Sequence, residues 1–225
     1  MDIRCSQPCL SGALFIPENI DSDSSGVNKP HSNTSSTLSK SIPTNYSSST
    51  TSTLMLEVLD NAVGSMDDIQ SYLTLTQSGE LYNTVHQQVL NQYDITEEVF
   101  LLSMVKKQII KGIYSNNSEG WINEMVAYMV FRFMFPNVVK AFDKLKQTNH
   151  RALAIMLQKL EAAVVLDHAA KRITTELPHI PLFTIHDSIV VPVGYEDYVA
   201  TIIIEEMHST IGIRPSLKYD YWKPK

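Results

Sequence analysis

Apolar residues recur at helical spacing along most of the chain, and at extended spacing near its end. The helical pattern predicts helices over 69–75, 99–114, 121–135, 137–147, 150–167 and 195–211. Two β-favouring runs, 182–185 and 189–191, flank the polar triplet His186-Asp187-Ser188, and strand-like alternation returns at 217–222. The pattern therefore predicts many helices and a few short strands, and two of those strands enclose a His-Asp pair.

One polar block interrupts this pattern. Residues 21–53 consist largely of Ser, Thr and Asn, with almost no large apolar side chains. Such a segment buries too little surface to offset the entropy lost on ordering. We expect it to be a disordered insertion.

Charge is unevenly distributed along the chain. The net charge is −6 and the pI about 5.6, values that do not favour a nucleic-acid-binding protein. Residues 101–172, however, hold eleven Lys and Arg against five acids, a local charge of +6. This basic middle is compatible with a phosphate-binding surface and equally with solvated helix faces.

The sequence lacks the marks of several protein classes. Cys5 and Cys9 are too few and too close for a disulfide framework, and no further ligands follow them for a zinc site. No apolar run has the length of a membrane span, and we see no signal pattern. We expect a soluble protein of a reducing compartment.

Asp187 is the first candidate functional residue. A carboxylate between two buried strands suits a hard divalent cation, because Mg²⁺ requires oxygen ligands in fixed positions. The alternative is that Asp187 is only a turn aspartate and that His186 caps a strand.

Three sequence stretches resemble motifs of the family A nucleic-acid polymerases. The apolar runs around His186-Asp187-Ser188 resemble motif C, and residues 1–8, with Asp2 and Gln7, resemble motif A. Lys106 and Tyr114, eight residues apart, resemble the Lys and Tyr of motif B on the fingers helix. Leu102 stands where the family usually has Arg, and Ser115 where it usually has Gly.

The resemblance implies an α+β fold, in which mostly helical fingers pack on a small antiparallel palm sheet bearing a catalytic β-hairpin. The N-terminal thumb and upper palm are expected to be absent from this chain. The implied divisions are 1–20, the motif A segment of the palm; 21–53, the insertion; 54–148, the fingers; and 149–225, the palm with its hairpin.

The same resemblance implies a catalytic centre. Asp2 and Asp187 would hold two Mg²⁺ ions that support in-line nucleotidyl transfer, and His186 would position the primer end. Lys106 would meet the triphosphate of the incoming nucleotide, and Tyr114 would shape the pocket for its base and sugar.

Two further residues match positions that contact nucleic acid in the family. Gln158 corresponds to an amide that reads the primer-template minor groove without regard to sequence, and Arg151 to a weaker backbone contact. An equally good interpretation is that Gln158 lies on the helix surface and has no functional role.

Sequence features that bear on whether the enzyme uses deoxynucleotides or ribonucleotides point in opposite directions. Ser188 and the Asp2-to-Ser6 spacing resemble the single-subunit RNA polymerases. Gln7, five residues beyond Asp2, is bulky like the Glu with which the DNA enzymes crowd a ribose 2′-hydroxyl. Because pocket volume decides between the two sugars, we favour deoxynucleotides.

The implied function is that of a DNA polymerase fragment acting in DNA replication, of phage or mobile-element origin. It would work in the cytoplasm of a bacterial or phage-infected cell. Its partners would be primer-template nucleic acid, nucleoside triphosphates and a separate chain supplying the thumb and upper palm.

Three other functions are weighed against this one. The chain is alternatively an inactive palm remnant or accessory nucleic-acid-binding subunit, or a fragment of a single-subunit RNA polymerase. A His/Asp metallohydrolase fits less well, because no further His or carboxylate cluster accompanies the His-Asp pair.

Overall fold

The computed structural model describes residues 1–4, 6–16, 67–116, 120, 124–185 and 188–222. The predicted insertion at 21–53 lies outside these ranges, and so do His186 and Asp187.

A small antiparallel sheet joins the two ends of the described chain. Its strands are β1 (Asp2–Ile3), β2 (Phe183–Ile185), β3 (Ser188–Val190) and β4 (Leu217–Lys218). The strand order is β2-β3-β1-β4, so β1 lies inside the sheet with Asp2 paired to Ser188 on one side and Lys218 on the other. The sheet and the many helices confirm the α+β class.

Helices make up most of the described residues. They are α1 (Ser6–Ser11) with a 3₁₀ turn (Gly12–Phe15), α2 (Asp67–Ser78), α3 (Leu81–Tyr93), α4 (Leu102–Tyr114), α5 (Val126–Met134), α6 (Pro136–Lys146), α7 (Ala152–Ala162), a π-helical segment (Ala163–Ala170), α8 (Lys171–Glu176) and α9 (Glu196–Ile211).

Local chemistry explains the boundary between α5 and α6. α5 ends before Pro136, which is the first residue of α6 and lacks the N–H that a helix start leaves unbonded. The carboxylate of Asp68, on α2, accepts from the backbone N–H of Asn137 at 2.8 Å and from its side-chain amide at 2.9 Å. A negative charge at a helix N-terminus is stabilising, so Asp68 fixes α6 against α2.

An aromatic cluster fixes α1 against the helices. Tyr72, fully buried, packs against Phe15, Phe131, Phe135 and Phe142 with ring centroids 5.5–6.3 Å apart. Its hydroxyl bonds Ser11 Oγ at 2.7 Å and donates to the carbonyl of Pro8 at 3.0 Å. Since both partners belong to α1, the core determines where the residues of α1 point.

The acids in the sequence Asp94-Ile-Thr-Glu-Glu98 predict a helix N-terminus that launches the helix 99–114, and this prediction is wrong. Asp94 has φ 50°, and its N–H bonds the carbonyl of Leu90, so it closes α3 rather than opening α4. Aspartate tolerates this left-handed conformation better than most residues, which makes it a suitable helix end. α4 begins only at Leu102.

Burial differs from the pattern at three places. The amphipathic pattern of 137–147 predicts that Lys146 lies on a solvated or template-facing surface, but it is buried and donates to the carbonyl of Ser115 at 3.3 Å. Leu166, predicted on the buried face of the 150–167 helix, is 45% exposed, because it lies two residues after the buried Val164 and therefore on the opposite side of the helix. Strand β2 was expected to be buried and is exposed throughout, since it is the sheet edge.

None of the described helices is both long enough and apolar enough to cross a lipid bilayer.

Candidate active site

Asp2 is held in the interior of the sheet. Its Oδ1 accepts a hydrogen bond from Ser188 Oγ, the hydroxyl of its register partner on β3. The α-ammonium of Met1 donates to the carbonyl of Ile189 at 2.8 Å, and the N–H of Ile189 donates back to the carbonyl of Met1 at 3.0 Å. These bonds fix the Asp2 carboxylate beside the residue that follows Asp187 in the sequence.

Asp2 and Ser188 open onto a cleft of about 390 Å³. Asp220, Glu196 and the exposed Trp222 also line it. Asp220 Oδ2 lies 2.7 Å from Lys218 Nζ, and this hydrogen bond is the main reason that the pKa of Lys218 is raised.

The carboxylate of Asp2 differs from that of Asp220. In the described part of the chain, no lysine or arginine nitrogen lies within ion-pair distance of Asp2. Asp2 is thus a cleft carboxylate whose hydrogen-bond donor is a neutral hydroxyl.

The described residues fit a metal ion only in part. Asp2 and Ser188 supply hard oxygen atoms of the kind that Mg²⁺ prefers. Within the described ranges, no group of three or more His, Cys, Asp or Glu side chains is arranged so that it could hold a metal ion. Since Asp187 and His186 lie outside those ranges, their convergence with Asp2 stays a prediction.

A second cluster brings together residues that are far apart in the sequence. Tyr114, the last residue of α4, donates from its hydroxyl to Gln7 Oε1 at 2.5 Å, and Gln7 Nε2 donates to Glu161 Oε2. We call these three residues the Gln7 cluster. It joins α1, α4 and α7, and all three side chains are half-buried.

The electrostatics of the Gln7 cluster fix the direction of its hydrogen bonds. Burial first, and then the negative charge of Glu161, raise the pKa of Tyr114 far above its ordinary value. Tyr114 is therefore a neutral donor at physiological pH. An ionised carboxylate only accepts, so the amide of Gln7 turns its nitrogen toward Glu161 and its oxygen toward Tyr114.

Lys106 lies outside the Gln7 cluster. Its side chain is exposed, and its Nζ lies 6.0 Å from the centroid of the Tyr82 ring. Eight residues separate it from Tyr114, which is about 12 Å along the helix axis. The two predicted nucleotide-binding residues of α4 thus occupy different places along one helix.

Gln158 and Arg151 also lie outside the cluster, and both are exposed. Arg151 precedes α7, and its backbone N–H donates to the side chain of Asn149 at 3.0 Å. Gln158 lies three residues before Glu161 on the same helix, and residues at this spacing share a helix face. Gln158 therefore lies on the same face of α7 as Glu161 and is exposed.

Two residues of this region were not recognised in the sequence. Ser188 was used only to compare polymerase classes, and Glu161 was given no role. An acid within the apolar run that includes Leu160 and Ala162 is a sequence signal that could have identified Glu161. Its partner could not be found in this way, because Gln7 is 154 residues away.

Comparisons of the chain with protein-family models, with curated proteins and with solved structures return no match.

Proposed function

We propose that this chain is the palm-and-fingers portion of a family A template-directed DNA polymerase, acting on primer-template nucleic acid and nucleoside triphosphates. The hydrogen bond between Tyr114 and Gln7 carries this proposal. The motif resemblance assigned both residues to one nucleotide pocket from separate stretches of sequence. Their contact across 107 residues is what a shared pocket requires.

The position of Asp2 supports the same proposal. Asp2 lies on an interior strand, paired with the residue that directly follows Asp187. In the proposed enzyme this sheet is the palm, β2 and β3 form its catalytic hairpin, and the helices α2 to α6 belong to the fingers. Asp2 and Asp187 would hold Mg²⁺, which supplies charge stabilisation to the phosphoryl group under in-line attack.

In the proposed enzyme, each remaining residue has the role that the motif resemblance assigns to it. Lys106 is an exposed cation that attracts the triphosphate, and Tyr114 and Gln7 form the wall of the pocket for base and sugar. His186 positions the primer end, and the exposed Gln158 and Arg151 face the primer-template. The bulk of Gln7 favours deoxynucleotides over ribonucleotides.

Primer extension tests this proposal. The full chain is incubated with Mg²⁺ and a short primed template, with deoxynucleotides and ribonucleotides offered separately. We expect extension by the wild type and a loss of about a thousandfold in Asp187→Asn and in Asp2→Asn, because each removes a metal-binding charge. Asp220→Asn is the matched control, since Asp220 lines the same cleft but pairs with Lys218.

The accessory alternative predicts a different outcome. A folded wild type that binds primed DNA but extends nothing, alone or with a chain that supplies thumb and upper palm, would contradict the proposed activity. Equal extension by the wild type and Asp187→Asn would contradict the assignment of the site.

A further inference from the structure

Glu161 completes the Gln7 cluster from α7, and none of the polymerase-like motifs includes it. Its carboxylate accepts from Gln7 Nε2, while the hydroxyl of Tyr114 donates to Gln7 Oε1. The two ends of one amide are therefore held from two different helices.

The direction of this hydrogen-bond chain depends on Glu161. A tyrosine hydroxyl can donate or accept, and an amide can present either of its ends, so Tyr114 and Gln7 alone allow two arrangements. A carboxylate only accepts and binds the amide N–H more strongly than a neutral acceptor does. Glu161 therefore selects one orientation of Gln7 and opposes its rotation.

Rigidity of Gln7 matters for the choice of sugar. A side chain excludes a ribose 2′-hydroxyl by its bulk only if it cannot swing aside when the larger sugar enters. With hydrogen bonds at both ends of its amide, the Gln7 side chain stays in place. Without the bond from its nitrogen to Glu161, it can move aside and admit the 2′-hydroxyl.

We propose that Glu161 is the positioning residue that holds Gln7 against the incoming sugar and so sets the preference for deoxynucleotides over ribonucleotides. This inference rests on the proposed polymerase function. Glu161 acts through Gln7 and does not itself contact the nucleotide.

The first test measures kcat/KM for insertion of one deoxynucleotide and of the matching ribonucleotide by the full chain. In Glu161→Gln, which keeps the shape of the side chain, we expect the ratio of the two values to fall about tenfold. The fall should come from faster ribonucleotide insertion. Asp167→Asn is the matched control, since it removes an exposed carboxylate from the same helical segment and should leave the ratio unchanged.

A purely structural role for Glu161 has a different signature. It would slow both nucleotides by the same factor and leave their ratio as in the wild type. That result would overturn the inference.

A second readout does not depend on activity. The side-chain amide protons of Gln7, assigned by NMR as the signal lost in Gln7→Leu, should exchange with solvent at least tenfold faster in Glu161→Gln than in the wild type. Equal exchange rates would overturn the positioning role even in an active polymerase.

The two readouts also separate the two proposals. If the wild type extends no primer with either nucleotide, the proposed function and the sugar selection both fail. Amide exchange then still decides whether Glu161 holds Gln7.

Discussion

Two polar clusters lie on the helical segment that runs through residues 152–176, and they are built differently. The Gln7 cluster is at its first part, where Glu161 accepts from a neutral amide. The second, which we call the Arg172 network, joins α8 to α9. In it, Arg172 contacts Glu176 at 2.7 Å, Glu205 at 2.8 Å and Glu206 at 3.2 Å, and His168 lies 3.6 Å from Glu206.

We infer from this difference that the Arg172 network stabilises the fold, whereas the Gln7 cluster orients a side chain. The Arg172 network compensates charge between two helices that pack together, and its central feature is the carboxylate of Glu206, with 5% of its side chain exposed. The Gln7 cluster joins three helices through directed bonds over 107 and 154 residues. In the proposed polymerase, loss of the network should therefore cost mainly stability, and loss of the cluster mainly the preference for deoxynucleotides.

The largest expected effect on stability is that of Arg172→Met. Removing the guanidinium takes away the nearest cation of the buried Glu206. Because a third of the Arg172 side chain is exposed, we expect a loss of about 2–3 kcal/mol of unfolding free energy, below the about 3–5 kcal/mol for a fully buried pair. Chemical denaturation measures this cost, and Lys171→Met, at the exposed neighbouring position, is the control. The ratio of deoxynucleotide to ribonucleotide insertion should not change, and a change in it would remove the distinction between the two clusters.

Tyr114→Phe should have the opposite profile. It removes one hydrogen bond to a half-buried amide, which lowers the free energy of unfolding by about 1 kcal/mol. The insertion ratio should fall several-fold, because Gln7 loses the donor at its oxygen. A loss of stability comparable with that of Arg172→Met, at an unchanged ratio, would show that the Gln7 cluster is structural only.

Alkaline pH should lower the stability of the wild type through Tyr114 and Tyr128. The pKa of Tyr114 is raised by burial and then by Glu161, and burial is also the main cause that raises the pKa of Tyr128 to about 12. A raised folded pKa contributes stability that is complete below the unfolded value of about 10 and is lost as the pH rises above it.

Denaturation at pH 8, 10 and 11 should therefore show a shallower loss of stability in Tyr114→Phe than in the wild type. Tyr128→Phe, which retains Tyr114, serves for comparison. An identical slope in Tyr114→Phe and the wild type would contradict the burial of the phenol.

The smallest expected effect is that of Glu176→Gln. The hydrogen bond from Tyr198 at 2.5 Å, and then that from Arg172, lower the pKa of Glu176. A lowered folded pKa contributes stability that is present above the unfolded value of about 4.3 and is lost as the pH falls through the folded one. Glu176→Gln should thus be less sensitive to acid than the wild type below pH 4.5, as thermal denaturation at pH 7 and pH 3 would detect. Greater acid sensitivity in the variant would contradict this sign.

Much of the fold follows from local sequence. The helices α2, α6 and α9 were predicted, because a strong apolar period and a proline or glycine at the boundary are local signals. The start of α4 was missed because Asp94 and the acids after it look like a helix start, while the turn at 97–100 depends on its surroundings. The π-helical turns and the exposure of β2 have no local signature either.

The candidate site divides in the same way. Gln7 and Tyr114 were identified from motif spacing before any contact between them was known, and the structure brings them together. Glu161 and the bond from Ser188 to Asp2 were not predicted. Neither residue belongs to a recognisable pattern, since each gains its role from a partner on a distant element.

The sequence alone determined the helical periods, the polar block at 21–53 and the residue types that suit nucleotide and metal chemistry. Only the tertiary structure decided that β1 lies inside the sheet, that Lys146 is buried and that Glu161 holds Gln7. The physical reason is the distance along the sequence over which each interaction acts. Helical period and turn chemistry act over a few residues, whereas hydrogen bonds over 107 to 186 residues exist only once the core has placed α1, α4, α7 and the sheet.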